Sequence, residues 1–131
     1  MLENGYYGGA FYLSGYSVEL YLKAKICLLF DVPDLFAKPK ERTSPEAKQT
    51  EGINDIVKSV KIHDLTALLM FSRLKLQYKK LDNKKMKQHT TYLIRKWTID
   101  ERYEPYNPVE RKKITNTINN LEEFLKWIKN N

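Results

Sequence analysis

The chain has 131 residues, the length of one domain, and its 42% hydrophobic content is ordinary for a globular protein. Five glycines and five prolines are too few for a turn-rich β architecture, and the single cysteine, Cys27, excludes an internal disulfide. The formal net charge of +7 comes from one stretch: residues 73–96 hold nine basic residues and one acid, whereas the rest of the chain holds 14 and 15. We therefore expect a single helical domain over 1–131.

A first helix is predicted from Gly8 to Leu29. It is apolar on most sides, which is typical of a helix buried between others, and Gly15 suggests the close approach of a neighbouring helix. Glu19 and Lys23 form an i, i+4 pair in the favourable order. Because charges interrupt the apolar run and no basic region precedes it, we expect neither a membrane span nor an export signal, and we expect a cytoplasmic protein.

Residues 31–52 contain three prolines and no sustained periodicity, and they predict a long, mobile polar loop after the first helix. A short apolar segment follows at 53–60. The second helix is expected to begin after Asp64, whose carboxylate is placed to cap the first turn. His63 stands directly before that cap.

A third helix is predicted from Asn83 to Trp97, with a strongly basic exposed side. The fourth has an N-cap at Asn107, Pro108 at the first helical position and Glu110 placed for a capping box. No segment alternates like a strand, so the expected fold is all-α, an up-and-down four-helix bundle. The expected core positions of the fourth helix are Ile114, Ile118, Leu121, Leu125 and Ile128.

The sequence lacks the common signatures of catalysis and cofactor binding. It contains no phosphate-binding loop, no Gly-x-Ser-x-Gly and no His-Glu-x-x-His, and two distant histidines with one cysteine give no metal-ligand set. Apolar neighbours of Cys27 indicate a structural thiol and not a nucleophile. The sequence therefore predicts no cofactor, no metal and no catalytic residue.

Three landmarks resemble those of HEPN domains, helical domains associated with nucleotide binding. The run from Tyr7 to Ala24 is similar to the family's signature helix, in which a tyrosine-containing turn leads into a helix ending Glu-x-x-x-Lys-Ala. Residues 61–65, Lys-Ile-His-Asp-Leu, resemble the second landmark, at the start of the next long helix. Trp97 followed by Arg102-Tyr103 resembles the third, and the order of all three is that of the family.

The resemblance implies a HEPN-like bundle, commonly dimeric, that works on nucleotides or RNA. It implies one of two activities: partner of a separately encoded nucleotidyltransferase in a toxin–antitoxin module, or metal-independent ribonuclease. The family usually has a further helix before the signature helix, and only residues 1–6 stand there in this sequence. That helix is either lost or supplied by a neighbouring molecule, which favours a homodimer.

Catalytic members of the family are recognised by an arginine four to six residues before a histidine. The windows before His63 and His89 contain lysines, Lys58 and Lys84, but no arginine. Because lysine lacks the bidentate fork of arginine, either pair would be a degraded site. We expect a noncatalytic or weakly catalytic module; the alternatives are a ribonuclease with such a Lys/His site and a pure protein-interaction module.

The candidate nucleotide- or RNA-binding residues come from the landmarks and from the basic stretch, where Tyr78 and Tyr92 offer stacking surfaces. Each candidate also has a structural interpretation, such as an intrahelical ion pair, a helix cap or a solvated lysine face. The candidates are Glu19, Lys23, His63, Asp64, Lys84, Lys87, Arg102 and Tyr103.

Overall fold

The computed structural model describes residues 6–36, 63–98 and 106–131, and every regular element in these ranges is a helix. The prediction of an all-α protein is confirmed for this part of the chain. None of its helices is long and apolar enough to cross a membrane. The helices are α1 (Tyr7–Phe30), α2 (Leu65–Phe71), α3 (Lys75–Lys79), α4 (Lys84–Lys96) and α5 (Pro108–Asn130).

The core lies between α1, α4 and α5. The long helix α5 packs along both α1 and α4, and α2 also packs against α1 and α4. Their facing surfaces are apolar, and burying them supplies the main driving force for folding. The side chains almost wholly removed from solvent include Phe11, Leu22 and Ile26 of α1, Leu65 and Leu68 of α2, Leu93 of α4, and Ile114, Phe124 and Ile128 of α5.

The predicted start of α5 is confirmed in detail. The Asn107 side chain accepts a hydrogen bond from the Glu110 amide at 2.8 Å, and the Glu110 carboxylate accepts one from the Asn107 amide at 3.4 Å. Pro108 occupies the first helical position, where its missing N–H costs nothing. The buried face of α5 differs from the predicted one. Thr117, Asn120 and Phe124 are buried, whereas Ile118, Leu121 and Leu125 are only partly buried.

The polar members of this buried face are satisfied within the described residues. The Thr117 hydroxyl donates to the His89 carbonyl at 3.0 Å or to the Lys113 carbonyl at 2.9 Å, and the Asn120 amide donates to the Asn116 carbonyl. A prediction of the buried face from the spacing of apolar residues misses such positions, because a polar side chain with a hydrogen-bond partner can also be buried.

The second predicted helix begins at Leu65 and ends at Phe71. Asp64 caps it as expected, accepting from the backbone N–H groups of Thr66 and Ala67 at 3.0 and 3.2 Å. After Phe71 the chain turns through Arg73, which adopts a left-handed conformation with φ of 64°, and a short unpredicted helix, α3, follows.

The side chain of Tyr78 anchors α3 to α4. Its hydroxyl lies 2.8 Å from the hydroxyls of both Thr90 and Thr91 and donates to the Lys87 carbonyl at 3.0 Å. Burial raises the pKa of the Tyr78 hydroxyl, with the threonine hydrogen bonds opposing that rise. This tyrosine is therefore a structural residue, not a stacking surface for a ligand.

The first helix is buried on one side only, which corrects the prediction of burial on most sides. Leu13 is 46% exposed, Leu20 50% and Leu28 75%. The helix ends at Asp31, whose φ of 56° lets its amide bond back to the Leu28 carbonyl.

The first residues of the predicted mobile loop form a turn against the core. Val32 and Leu35 are buried there. Residues 37–52 of that loop and the apolar segment 53–60 lie outside the described residues.

Close packing of Trp97 on α1 fixes the end of α4. The indole N–H donates to the Tyr12 carbonyl at 3.1 Å, and the ring lies directly on Gly15. A β-carbon at position 15 would overlap the indole ring, so no other residue fits there without displacing Trp97. Gly15 led us to expect the close approach of a neighbouring helix. The group that packs closely against Gly15 is the Trp97 side chain.

We expect Gly15→Ala to lower the free energy of unfolding by about 1–3 kcal/mol, the usual cost of overpacking a core. Urea denaturation followed by circular dichroism measures the change. In a Trp97→Leu background the indole ring is gone, and the same alanine substitution is expected to cost clearly less. An equal cost in both backgrounds would show that the ring does not set the constraint.

Candidate functional site

Three of the predicted site residues meet at one buried carboxylate. Glu19 is 1% exposed because it lies on the core side of α1. Its carboxylate accepts a hydrogen bond from the Lys23 ammonium at 2.6 Å, and both of its oxygens lie within 2.9 Å of Nδ1 of His63. We call these three residues the Glu19 cluster.

Two aromatic side chains lie beside the Glu19 cluster. The His63 ring stands edge-on to Trp97, with 6.4 Å between ring centroids, and the Lys23 ammonium lies 5.3 Å from the centre of the Phe36 ring. The sequence brings these groups together because Glu19 and Lys23 share a helix face while His63 directly precedes the cap of α2. Two nitrogen donors therefore offset the cost of burying the carboxylate.

The Glu19 cluster fixes the orientation of the His63 ring. A carboxylate only accepts hydrogen bonds, so Nδ1 carries the proton and Nε2 has no hydrogen-bond partner among the described residues. The side chain of His63 is 41% exposed. Within the described residues no group of three histidine, cysteine or acidic side chains could hold a metal ion.

The other predicted site residues do not join the Glu19 cluster in the described structure. The Asp64 carboxylate is used as the cap of α2. Lys84 is exposed in the first turn of α4, and the Lys87 ammonium donates to the Lys79 carbonyl. Arg102 and Tyr103 lie outside the described residues.

A second polar site is a groove of about 370 Å³ between α4 and α5. No acidic residue lines it, and its cationic side chains form no ion pair with any described acid. We call it the α4/α5 groove. Its lining residues are Gln88, His89, Thr91, Tyr92, Arg95 and Lys96 from α4, and Lys113 and Asn116 from α5.

Contacts with the core hold the α4/α5 groove in shape. The Tyr92 ring packs on Phe11 with 5.6 Å between centroids, and the Lys113 ammonium lies 5.5 Å from the centre of the Tyr92 ring. The bond from the Thr117 hydroxyl to the His89 carbonyl links the two helices beside the groove. The Lys113 side chain therefore packs against an aromatic ring that itself contacts the core.

The sequence predicted part of this groove and missed part. The basic stretch pointed to Arg95 and Lys96, but Lys113 and Asn116 belong to a different helix, outside that stretch. Only the packing of α5 against α4 brings them to the same place. The available signal was the strong capping box of α5, which fixes where that helix begins but not which face meets α4.

The Cys27 thiol is not activated as a nucleophile. It is partly buried and packs against the core, as the sequence indicated. Burial raises the pKa of this thiol, and the neighbouring Asp34 carboxylate adds to the rise. A protonated thiol is a poor nucleophile and a poor metal ligand.

No protein-family model matches this chain, and the searches of curated proteins and of solved structures found no significant match. The resemblance to HEPN domains therefore rests on the motif residues alone.

We expect Glu19→Gln to cost about 1.5–3 kcal/mol of stability, because it removes the charge that two nitrogen donors bind in a buried site. The matched control is Glu122→Gln on α5. That glutamate also has a lysine four residues later, at 3.3 Å, but both side chains are at least 70% exposed. Its loss should change the free energy of unfolding by less than about 1 kcal/mol. Urea denaturation measures the free energy of unfolding of both variants. Equal losses would contradict a special role for the Glu19 cluster.

Proposed function

We propose that the protein is a HEPN-like, noncatalytic helical module that binds nucleotides or RNA through the α4/α5 groove. The observation that supports this proposal best is the set of cations in the groove, Arg95, Lys96 and Lys113, with no acid among the lining residues. In this interpretation α1, α2, α4 and α5 are the four helices of an up-and-down HEPN-like bundle, and α3 extends α2.

Charge and polar groups make the α4/α5 groove suited to a phosphate-bearing ligand. Unopposed cations attract phosphates over a distance and release condensed counterions when a nucleic acid binds. The amides of Gln88 and Asn116 line the same groove and offer both donors and acceptors to a base or a sugar. The remaining lysines of residues 73–96, including Lys84, would extend the electrostatic contact beyond the groove.

A second candidate function is metal-independent RNA cleavage in the same groove. His89 and Arg95 both line it, so the structure brings an imidazole and a guanidinium to one surface. In this sequence the arginine follows the histidine, the reverse of the order in catalytic HEPN domains. We favour the noncatalytic function because that motif is absent at both histidines.

The cellular setting of this proposal rests on the motif resemblance. We propose that the module works in the cytoplasm with a separately encoded nucleotidyltransferase-type partner, as in toxin–antitoxin pairs. Co-expression with a nucleotidyltransferase encoded next to it, followed by purification through a tag on one chain, tests this part. Recovery of a stoichiometric complex supports the partnership, and recovery of the tagged chain alone contradicts it.

Binding of a fluorescein-labelled single-stranded RNA, followed by fluorescence anisotropy at several salt concentrations, tests the groove. We expect Lys113→Glu to weaken binding about tenfold, the loss of one charge-assisted phosphate contact of about 1.4 kcal/mol. The slope of log K against log salt should fall by about 0.7 for each lost phosphate contact. Competition by ATP distinguishes a nucleotide site from one that requires RNA.

The matched control is Lys126→Glu, the same charge change on the same helix at an exposed position outside the groove. It should weaken binding much less than Lys113→Glu, through the change in net charge alone. Equal effects of the two variants, or no binding at low salt, would contradict the proposal.

Incubation of the protein with structured RNA in the absence of metal separates the two candidate functions. We expect the RNA to stay intact. Cleavage that is lost in His89→Ala would favour the ribonuclease in the groove, whereas loss in His63→Ala would place the activity at the Glu19 cluster.

A further inference from the structure

The aromatic ring in the α4/α5 groove is already covered by other side chains. The Lys113 ammonium lies over the Tyr92 ring, 5.5 Å from its centre, and the buried Phe11 ring packs against Tyr92 with 5.6 Å between centroids. A base that binds by stacking needs an open aromatic face. Among the described residues that line the groove there is no tryptophan, no phenylalanine and no second tyrosine. The groove therefore offers a ligand cations and amides, and not an aromatic platform.

A row of polar side chains on α4 leads into the α4/α5 groove. Lys84, Gln88 and Arg95 stand at intervals of four and seven residues, which places them on one side of the helix. All three are exposed, and α4 contains no acidic residue. Gln88 and Arg95 line the groove, while Lys84 lies one helical turn before it. At a rise of 1.5 Å per residue, the row is about 16 Å long.

We propose that the α4/α5 groove and this row bind the sugar–phosphate backbone of an RNA strand and do not recognise its bases. This inference rests on the proposed function, and it selects a chain of linked phosphates over a free nucleotide as the ligand. At the 3.4 Å that one strand advances per nucleotide in a helix, the row from Lys84 to Arg95 matches about five nucleotides. A free nucleotide would reach the cations at one end of it only.

The charges and hydrogen-bonding groups both suit a backbone ligand. Arg95, Lys96 and Lys113 are cations, and a contact between a cation and a phosphate carries no information about the base. The amides of Gln88 and Asn116 can donate to and accept from ribose hydroxyls, which every ribonucleotide carries. Because the Tyr92 ring is covered, the bases would face solvent, where their identity has little effect on affinity.

Strands that differ only in their bases test this inference. Fluorescein-labelled oligo(U), oligo(C) and an abasic analogue, each of about ten nucleotides, are titrated with the full chain and followed by fluorescence anisotropy. We expect the three dissociation constants to agree within about threefold, because phosphate contacts are independent of sequence. A single stacked base contributes at least about fivefold in affinity. A loss of that size for the abasic strand would therefore overturn the inference.

Chain length tests the row on α4. Affinity should rise with the length of oligo(U) up to about five nucleotides and then change little, and UMP should compete about a hundredfold more weakly, since it lacks at least two phosphate contacts. Lys84→Gln should weaken binding of the ten-nucleotide strand about fivefold and leave competition by a dinucleotide unchanged. The control, Lys126→Gln, removes the same charge from an exposed position outside the groove and should leave both unchanged.

The outcomes separate this inference from the proposed function. If RNA binds in the groove but the abasic strand binds at least fivefold more weakly, the groove reads bases and only the inference is wrong. If UMP competes as well as the strand, the site takes a free nucleotide, and again only the inference is wrong. Equal effects of Lys84→Gln and Lys126→Gln would remove the row from the site. No binding of any RNA at low salt would overturn both the inference and the proposed function.

Discussion

The contact of Trp97 with Gly15 is the constraint on which the rest of the structure depends. It places the end of α4 directly against the backbone of α1, and the indole N–H adds a bond to the Tyr12 carbonyl. The same indole ring lies 6.4 Å from the His63 ring, between centroids, and His63 in turn binds the buried Glu19 carboxylate. Gly15 therefore leaves the space in which the Trp97 ring packs on α1 and lies beside His63 at the start of α2.

The division of polar groups between two sites follows from that packing. The Glu19 carboxylate is buried and is bound by both Lys23 and His63, so the Glu19 cluster holds α1 and the start of α2 together. The α4/α5 groove is open and its cations are unmatched by described acids. A ligand that carries phosphates gains more from unmatched cations than from a carboxylate already bound by two donors, which is why our proposed function uses the groove.

Local features of the sequence predicted local features of the fold. The caps at Asp64 and Asn107 are confirmed, since a cap depends only on residues within one helical turn. The buried faces of the helices were harder to predict. The core side of α5 includes Thr117 and Asn120, and the spacing of apolar residues does not reveal their hydrogen bonds. The exposed face of α1 was also missed, because its apolar residues looked the same as core residues.

The candidate site was predictable only in part, for a related reason. Glu19, Lys23 and His63 were selected from motifs, and the structure brings all three together. The α4/α5 groove combines residues from two helices that are brought together by tertiary packing. The spacing of residues along the chain does not predict which faces of the two helices pack together. Arg102 and Tyr103, the third landmark, lie outside the described residues.

The most direct test of our account is a titration of ¹⁵N-labelled protein with a short single-stranded RNA, followed by two-dimensional NMR. The account predicts that shift changes concentrate at residues 88–96 of α4 and at residues 113–116 of α5, where the cations and amides line one groove. Changes centred on the Glu19 cluster, or no changes at low salt, would contradict it.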